Sequence, residues 1–195
     1  MTVRITCREA LLDAAESVVS ELGAVHLTLD AVADRAKVSK GGLLYHFPSK
    51  DALLQAMLRR LIDCFGADQR TALEGLPPGP ATALRAFVEA GIREHSDTRS
   101  VAAALLAASA INPSLLEPVR TMHQETLRRL TEPSRHKPLV WVIMMAIDGL
   151  WLNDILHTSP LSSEQRDQFR AELLQLATLT DCPPAGTLSQ PGHRD

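Results

Sequence analysis

The 195-residue chain reads as an all-α protein of about nine helices. Three observations carry that reading. Alanine and leucine dominate the apolar residues while runs of β-branched residues are scarce, a balance that favours helices over strands. Only 4% of the chain is aromatic. Helix-capping residues repeatedly precede stretches in which apolar side chains return every third or fourth position, the spacing of one helix face.

Each element follows from such local signals. Thr6 to Glu9 has the spacing of a capping box, and Leu11, Ala15, Val18 and Leu22 follow at helical spacing until Gly23 offers a stop. Thr28 caps a short second helix whose stripe is Leu29, Val32, Ala33 and Ala36. Lys37 and Val38 make a tight connection, and Ser39 caps a third helix from Lys40 to about His46. Pro48 ends it, because the residue before proline disfavours helical geometry. Ser49 opens a fourth helix with Leu53, Leu54, Met57, Leu58, Leu61, Ile62 and Phe65 on one broad face, closed by the turn-rich run from Gly75 to Pro80. Leu84, Phe87, Val88, Gly91 and Ile92 mark a fifth helix, and Val101 to Ile111 a sixth. Asn112 and Pro113 cap a seventh that reaches about Leu130, with Pro118 bending it or delaying its start. The eighth spans roughly Pro138 to His157. Ser162 to Gln165 repeats the capping-box spacing and opens a ninth to about Thr180, after which the tail 183–195 has a disordered composition.

Composition excludes several classes. The chain is 45% hydrophobic and 22% charged with a net charge of -3, ordinary for a globular protein. Cys7, Cys64 and Cys182 have neither disulfide-framework nor zinc spacing, and the seven histidines show no metal-ligand pattern, so no metal and no cofactor are expected. Asp13 and Glu16 interrupt any signal-like apolar start, and the longest apolar run, Leu139 to Ile147, is far short of the ~20 residues that span a bilayer. The expectation is a cytoplasmic protein with no membrane association. No catalytic Ser/His/Asp set, HExxH or phosphate loop emerges, so no enzyme activity is expected.

The sharpest signal is Thr28 to Phe47, two short helices joined by a tight turn, the pattern of a helix-turn-helix. Its second helix carries Lys40 with the small pair Gly41 and Gly42 at its leading end, and Leu43 and Phe47 toward the core. Glycines weaken a helix by up to about 1 kcal/mol each, so clearance for the major groove outweighs propensity here. Arg35, Lys37, Lys40 and Lys50 make the stretch from Arg35 to Lys50 four charges positive with no acidic residue, leaving -7 on the remainder. The slight overall acidity therefore does not exclude DNA.

These residues resemble a known family. VSKGGLLYHFPSKDAL, Val38 to Leu53, together with the upstream TLDAVADRA, is similar to the helix-turn-helix signature of TetR (tetracycline-repressor-like) transcriptional regulators, and the likeness extends from Thr6 to about Phe65. One departure is Lys37, where the family often has glycine. The resemblance implies a homodimer with a DNA-binding domain over 6–66 and a ligand-binding and dimerisation domain over 67–182, bound to a palindromic double-stranded operator and released by a small effector. By position it implies that Thr28, Ser39, Lys40, Gly41, Gly42, Leu44, Tyr45, His46 and Lys50 face DNA. A regulator that senses no small molecule is the alternative.

Beyond residue 70 the reading rests on the residues. At about 100° per residue, Trp141, Met144, Asp148, Trp151 and Ile155 share one stripe of the eighth helix, flanked by Met145 and Leu152. Val142, Ala146, Gly149 and Asn153 form a smaller stripe that suits a dimer interface, with Phe169 and Leu173 of the ninth helix beside it. The large stripe suits a cavity for a lipophilic cation, lined by Trp141, Met144, Met145, Asp148 and Trp151, with Phe87, Met122 and more remotely His95, Leu105 and Glu125 from other helices. A stripe of this kind is more often packed core than pocket, with Asp148 a dimer-interface or hydrogen-bonded structural carboxylate. The segment AIDGLWLNDILH resembles the corresponding helix of multidrug-efflux repressors in that family.

Overall fold

The computed structural model describes residues 6–79, 81–93 and 96–180. It holds nine α-helices among the described residues: α1 (Cys7–Leu22), α2 (Leu29–Ala36), α3 (Lys40–His46), α4 (Lys50–Glu74), α5 (Thr82–Ile92), α6 (Ser96–Ile111), α7 (Glu117–Thr131), α8 (Lys137–Ile155) and α9 (Ser163–Leu179). Single 3-10 turns over Ala24–His26 and Pro113–Leu116 precede α2 and α7. The tail 183–195, Cys182 and His95 lie outside the described residues.

Capping side chains set the helix starts. Thr6, Thr28, Ser39 and Ser49 each accept a hydrogen bond from the backbone N–H three residues on, at 3.1–3.2 Å. Among the helix starts described, only α9 has a complete capping box, with Gln165 reaching back to the Ser162 N–H at 2.9 Å. At α1 the box is half made, because the Glu9 carboxylate lies beside Arg8 instead. Leu22 is a second correction: it is exposed, because Gly23 (φ 88°) turns the chain away and the buried Leu27 takes the place beside the core. Pro118 delays α7 rather than bending it, since the 3-10 turn uses up the residues before it. The sixth helix begins earlier than its apolar pattern, at Ser96.

Two cores result. The first unites α1 to α4 with Val101, Ala104 and Leu105 of α6 and Leu115 of the second 3-10 turn. The second is built from α5, α8 and α9 with Leu130 of α7. The long helix α4 serves both, with Leu61 and Ile62 against the first core and Phe65 against the second. The change of core therefore falls inside a continuous helix and not at a linker. Its 25 residues make a rod of roughly 37 Å that begins beside the helix-turn-helix. Asn112 fastens that beginning, donating from Nδ2 to Asp51 Oδ2 at 2.8 Å while its Oδ1 accepts from the Ser114 hydroxyl at 2.7 Å. In the second core α5 and α8 cross so closely that a Cβ on Gly91 would lie 2.3 Å from Ile147 Cγ2. Paired guanidinium–carboxylate bonds join the outer edges, Arg170 to Glu89 at 2.8–2.9 Å and Arg166 to Asp154.

Candidate nucleic-acid interface and regulatory helices

The helix-turn-helix is fixed from within by Val32, Ala33, Leu43 and Phe47, all buried in the first core. With Leu43 and Phe47 held inward, the opposite side of α3 must face solvent. There Lys40, Gly41, Leu44 and Tyr45 are exposed, and Tyr45 is 86% exposed, a high value for an aromatic ring. His46 packs edge-on against the Tyr45 ring, with centroids 5.2 Å apart. Thr28, Ser39 and Lys50 are exposed too, whereas Gly42 and His46 are half-buried.

The two glycines have different reasons. A Cβ on Gly42 would press on the Ser39 hydroxyl at 3.3 Å, so this glycine protects the helix cap. A Cβ on Gly41 would meet nothing closer than 4.0 Å, so the room there is on the outside, where a groove would lie. Thr28 and Ser39 spend an acceptor lone pair on their caps, a bond that leaves the hydroxyl proton of each unused.

The local charge is more restrained than the sequence implied. Arg35 is held by both oxygens of Glu21 at 2.7 and 2.8 Å, and Lys40 lies 2.8 Å from Asp30. Both pairs lie on the surface, where water and salt screen them, so a phosphate can replace either carboxylate. Neither partner was legible beforehand, because Glu21 and Asp30 sit outside the basic stretch and meet it only through the packing of α1 on α2 and α2 on α3.

A compact helix-turn-helix with an outward polar and aromatic face agrees with what the chain is similar to. Residues 11–57 match the model described as bacterial regulatory proteins, tetR family, and residues 81–178 match the tetracyclin repressor-like C-terminal domain. A regulator from Serratia proteamaculans, HTH-type transcriptional regulator BetI, is 31% identical over 91% of this chain and 95% of its own length. The chain belongs to the TetR family. Solved structures with the same fold include a transcriptional regulator from Rhodococcus (TM-score 0.66, 25% identical, 92% of this chain and 100% of the other). They also include the multidrug binding protein EbrR complexed with ethidium (TM-score 0.59, 25% identical, 87% and 99%). As a TetR-type chain it is a DNA-binding transcriptional regulator and not an enzyme.

In this TetR chain the regulatory helices differ from the pattern read off the wheel. The buried arc of α8 consists of Val140, Ile143, Ile147 and Leu150, with Met144 and Ile155 at its edge. The two stripes had left most of that arc out. Trp141, Val142, Met145 and Leu152 are exposed together, so the large stripe and the small one form one outward surface. The effector set is accordingly dispersed. Phe87 and Met144 are core residues, Phe87 edge-on to Phe65 at 5.8 Å. Leu105 belongs to the first core. Trp141 and Met145 point away from the core, and Trp151 borders a crevice of about 20 Å³ with Arg93, Arg99 and Asp154, too small for an effector. The reason is geometric: a wheel shows which side chains share a face, but not which face the neighbouring helices cover.

The interface set changes for the same reason. Leu173 is buried in the chain's own core and Phe169 is half-buried against it. Ala146 and Gly149 are half-buried, and Asn153 bonds the Gly149 carbonyl at 2.8 Å and accepts from the Thr158 hydroxyl at 3.0 Å, closing the end of α8. By length and composition alone α8, with mean hydropathy 1.4, is long enough to cross a membrane, contrary to the shorter apolar run read from sequence. Its inner side chains pack in the second core, and core helices meet the same test.

Met122 and Glu125 do line a larger space, an open groove of about 740 Å³ between α4 and α7 whose walls include Arg59, Asp63, Glu117 and Arg129. Arg129, one of its walls, donates a 2.6 Å hydrogen bond to the buried Gln69. On the other side of α7, His123 stands 3.7 Å from Asp148. Burial pushes the Asp148 carboxyl above its ordinary range, and the imidazole draws it part of the way back. Because the folded value is raised, the cost of Asp148 sets in as pH rises past the ordinary carboxylate value, is complete above the folded value, and is absent in acid where both states are protonated. Asp148→Asn should therefore gain stability at neutral pH, by less than about 1 kcal/mol because the group is a third exposed. Melting curves against pH check this, and the gain should vanish as pH falls through the carboxylate range.

Proposed function

We propose that the chain is a homodimeric, effector-released repressor of the TetR type. The outward face of α8 carries the dimer reading: Trp141, Val142, Met145 and Leu152, with Leu156 just past the end of the helix, are each at least 42% exposed. Contiguous apolar surface of that kind is an association site, and a second copy supplies the same helix by two-fold symmetry. The domains proposed are a DNA-binding unit over 6–66 and a regulatory unit over 67–182.

Gly149 provides the test. Within one chain nothing lies within 4 Å of a Cβ placed on it, so alanine there should stabilise an isolated protomer by up to about 1 kcal/mol through helix propensity. If two α8 helices close on each other at Gly149, Gly149→Ala instead weakens the dimer. The expected result in sedimentation equilibrium is a dissociation constant raised about tenfold, or roughly 1.4 kcal/mol. A higher melting temperature with an unchanged dimer constant would count against this interface.

The effector is proposed as a small lipophilic cation, seated in the α4–α7 groove and not on the α8 stripe. Supporting this are the apolar floor from Ile62, Pro118 and Met122, the carboxylates of Asp63, Glu117 and Glu125, and the ethidium complex of EbrR. Its volume falls in the range of small-molecule pockets, ~300–1,000 Å³. Titrating ethidium against the full chain, with and without Glu125→Gln, tests it. Saturable binding weakened in the variant supports the groove, and no binding, or binding indifferent to the variant, removes it.

A further inference from the structure

We infer that Lys37 is a DNA-phosphate anchor, placed in the helix-turn-helix at a backbone position that disfavours any side chain. Lys37 ends α2 in the left-handed region, at φ 56° and ψ 42°. Among the described residues only it and His157 combine a side chain with a positive φ. The conformation is imposed by the turn: the Lys37 N–H donates to the Asp34 carbonyl at 3.2 Å and the Val38 N–H to the Ala33 carbonyl at 3.0 Å, while Val38 packs on the first core. Glycine meets that requirement without strain, because it has no Cβ to crowd the following carbonyl.

The fold takes nothing in return for the strain. Lys37 is exposed and its ammonium makes no ion pair among the described residues, although Asp34 lies three residues upstream. The four cations between Arg35 and Lys50 divide in two. Arg35 and Lys40 are held by Glu21 and Asp30, whereas among the described residues neither Lys37 nor Lys50 has a carboxylate partner. Those two stand one at each end of α3, the helix whose exposed face would enter the groove under the DNA-binding reading on which this inference rests. A groove-bound helix has a phosphate backbone on either side, so unpaired ammoniums flanking α3 are placed to meet them. Strained backbone persists at functional positions because something other than the fold uses it.

The test compares Lys37→Gly with Lys37→Gln in the full-length protein, using a mixed-sequence duplex whose binding is purely electrostatic. Lys37→Gly removes strain and charge, so its melting temperature should rise by about 2–3 °C. Lys37→Gln keeps the backbone strain and loses only the charge, leaving the melting temperature unchanged. Both should bind the duplex about tenfold or more weakly at low salt, and their log–log salt slope should fall by about 0.9 per lost contact, or about 1.8 per dimer. Wild-type slopes in both variants would overturn the phosphate contact. A lower melting temperature for Lys37→Gly would overturn the strain argument. Failure of the wild-type chain to bind any duplex is a separate result, against the DNA-binding function itself.

Discussion

Gly91→Ala should destabilise the protein by about 1–3 kcal/mol, the reverse of what the same change does in an ordinary helix. In α5 the missing Cβ is where α8 approaches, and the added methyl would sit 2.3 Å from Ile147 Cγ2 and 3.4 Å from Cδ1. Ile147 cannot swing aside, because it is 2% exposed and enclosed by the second core. The two helices must separate or Ile147 must leave its rotamer, and either opens packing around Phe87, Val88 and Leu150. Urea or thermal unfolding would show it as a melting point lower by about 3–10 °C. A second variant separates the clash from a general loss of fold. Ile147→Ala alone leaves a cavity costing about 2–5 kcal/mol. In the double variant the new methyl of residue 91 occupies part of that space, so the combined loss should fall short of the sum by about 1 kcal/mol or more. Simple additivity would mean that the two positions are not in contact.

Tyr45→Ala should abolish most operator binding while leaving the fold untouched. At 86% exposure the ring contributes almost nothing to either core, so the melting temperature should not move. On DNA, base-edge contacts are worth about 1–3 kcal/mol each, and a dimer presents two copies, so a loss of about 100-fold or more in affinity is expected. The DNA is the tightest fragment selected from genomic DNA by the purified protein, measured at fixed salt. Leu43→Ala is the counterpart. Two positions earlier on the same helix Leu43 is fully buried, and its truncation should cost about 2–5 kcal/mol and lower the melting temperature first. Unchanged affinity in Tyr45→Ala would show that the exposed face of α3 does not enter the groove.

The contrast between Leu43 and Tyr45 explains why the DNA-binding half was legible in sequence. Helices of seven and eight residues with a capping residue at each start leave few ways to arrange their side chains, and a helix-turn-helix buries one face of each against a neighbour adjacent in the chain. Inside and outside then follow from local spacing. The same holds for the α9 capping box and for the delay that Pro118 imposes on α7. Lys37 was visible as a departure from the family's glycine, yet only the backbone geometry shows that it is held in the left-handed region.

The regulatory half was less legible, because its helices meet partners far away in the chain. Nothing in the spacing of α8 indicates that Val140, Ile143, Ile147 and Leu150 face α5 and α9 while Trp141 and Met145 face out, since every side of this helix is apolar. The bond from Asn112 to Asp51 spans 61 residues and has no local signature. The α4–α7 groove exists only where two helices with their own separate patterns run side by side.

By itself, then, the sequence determined an all-helical chain, most of its caps and stops, and an α3 with Leu43 inward and Tyr45 outward, because those features depend on residues three or four positions apart. The tertiary structure alone decided which face of α8 is core, why Gly91 must lack a side chain, and which of the cations around α3 are neutralised by carboxylates. Those features depend on which helices pack together, and helical periodicity carries no record of the neighbour.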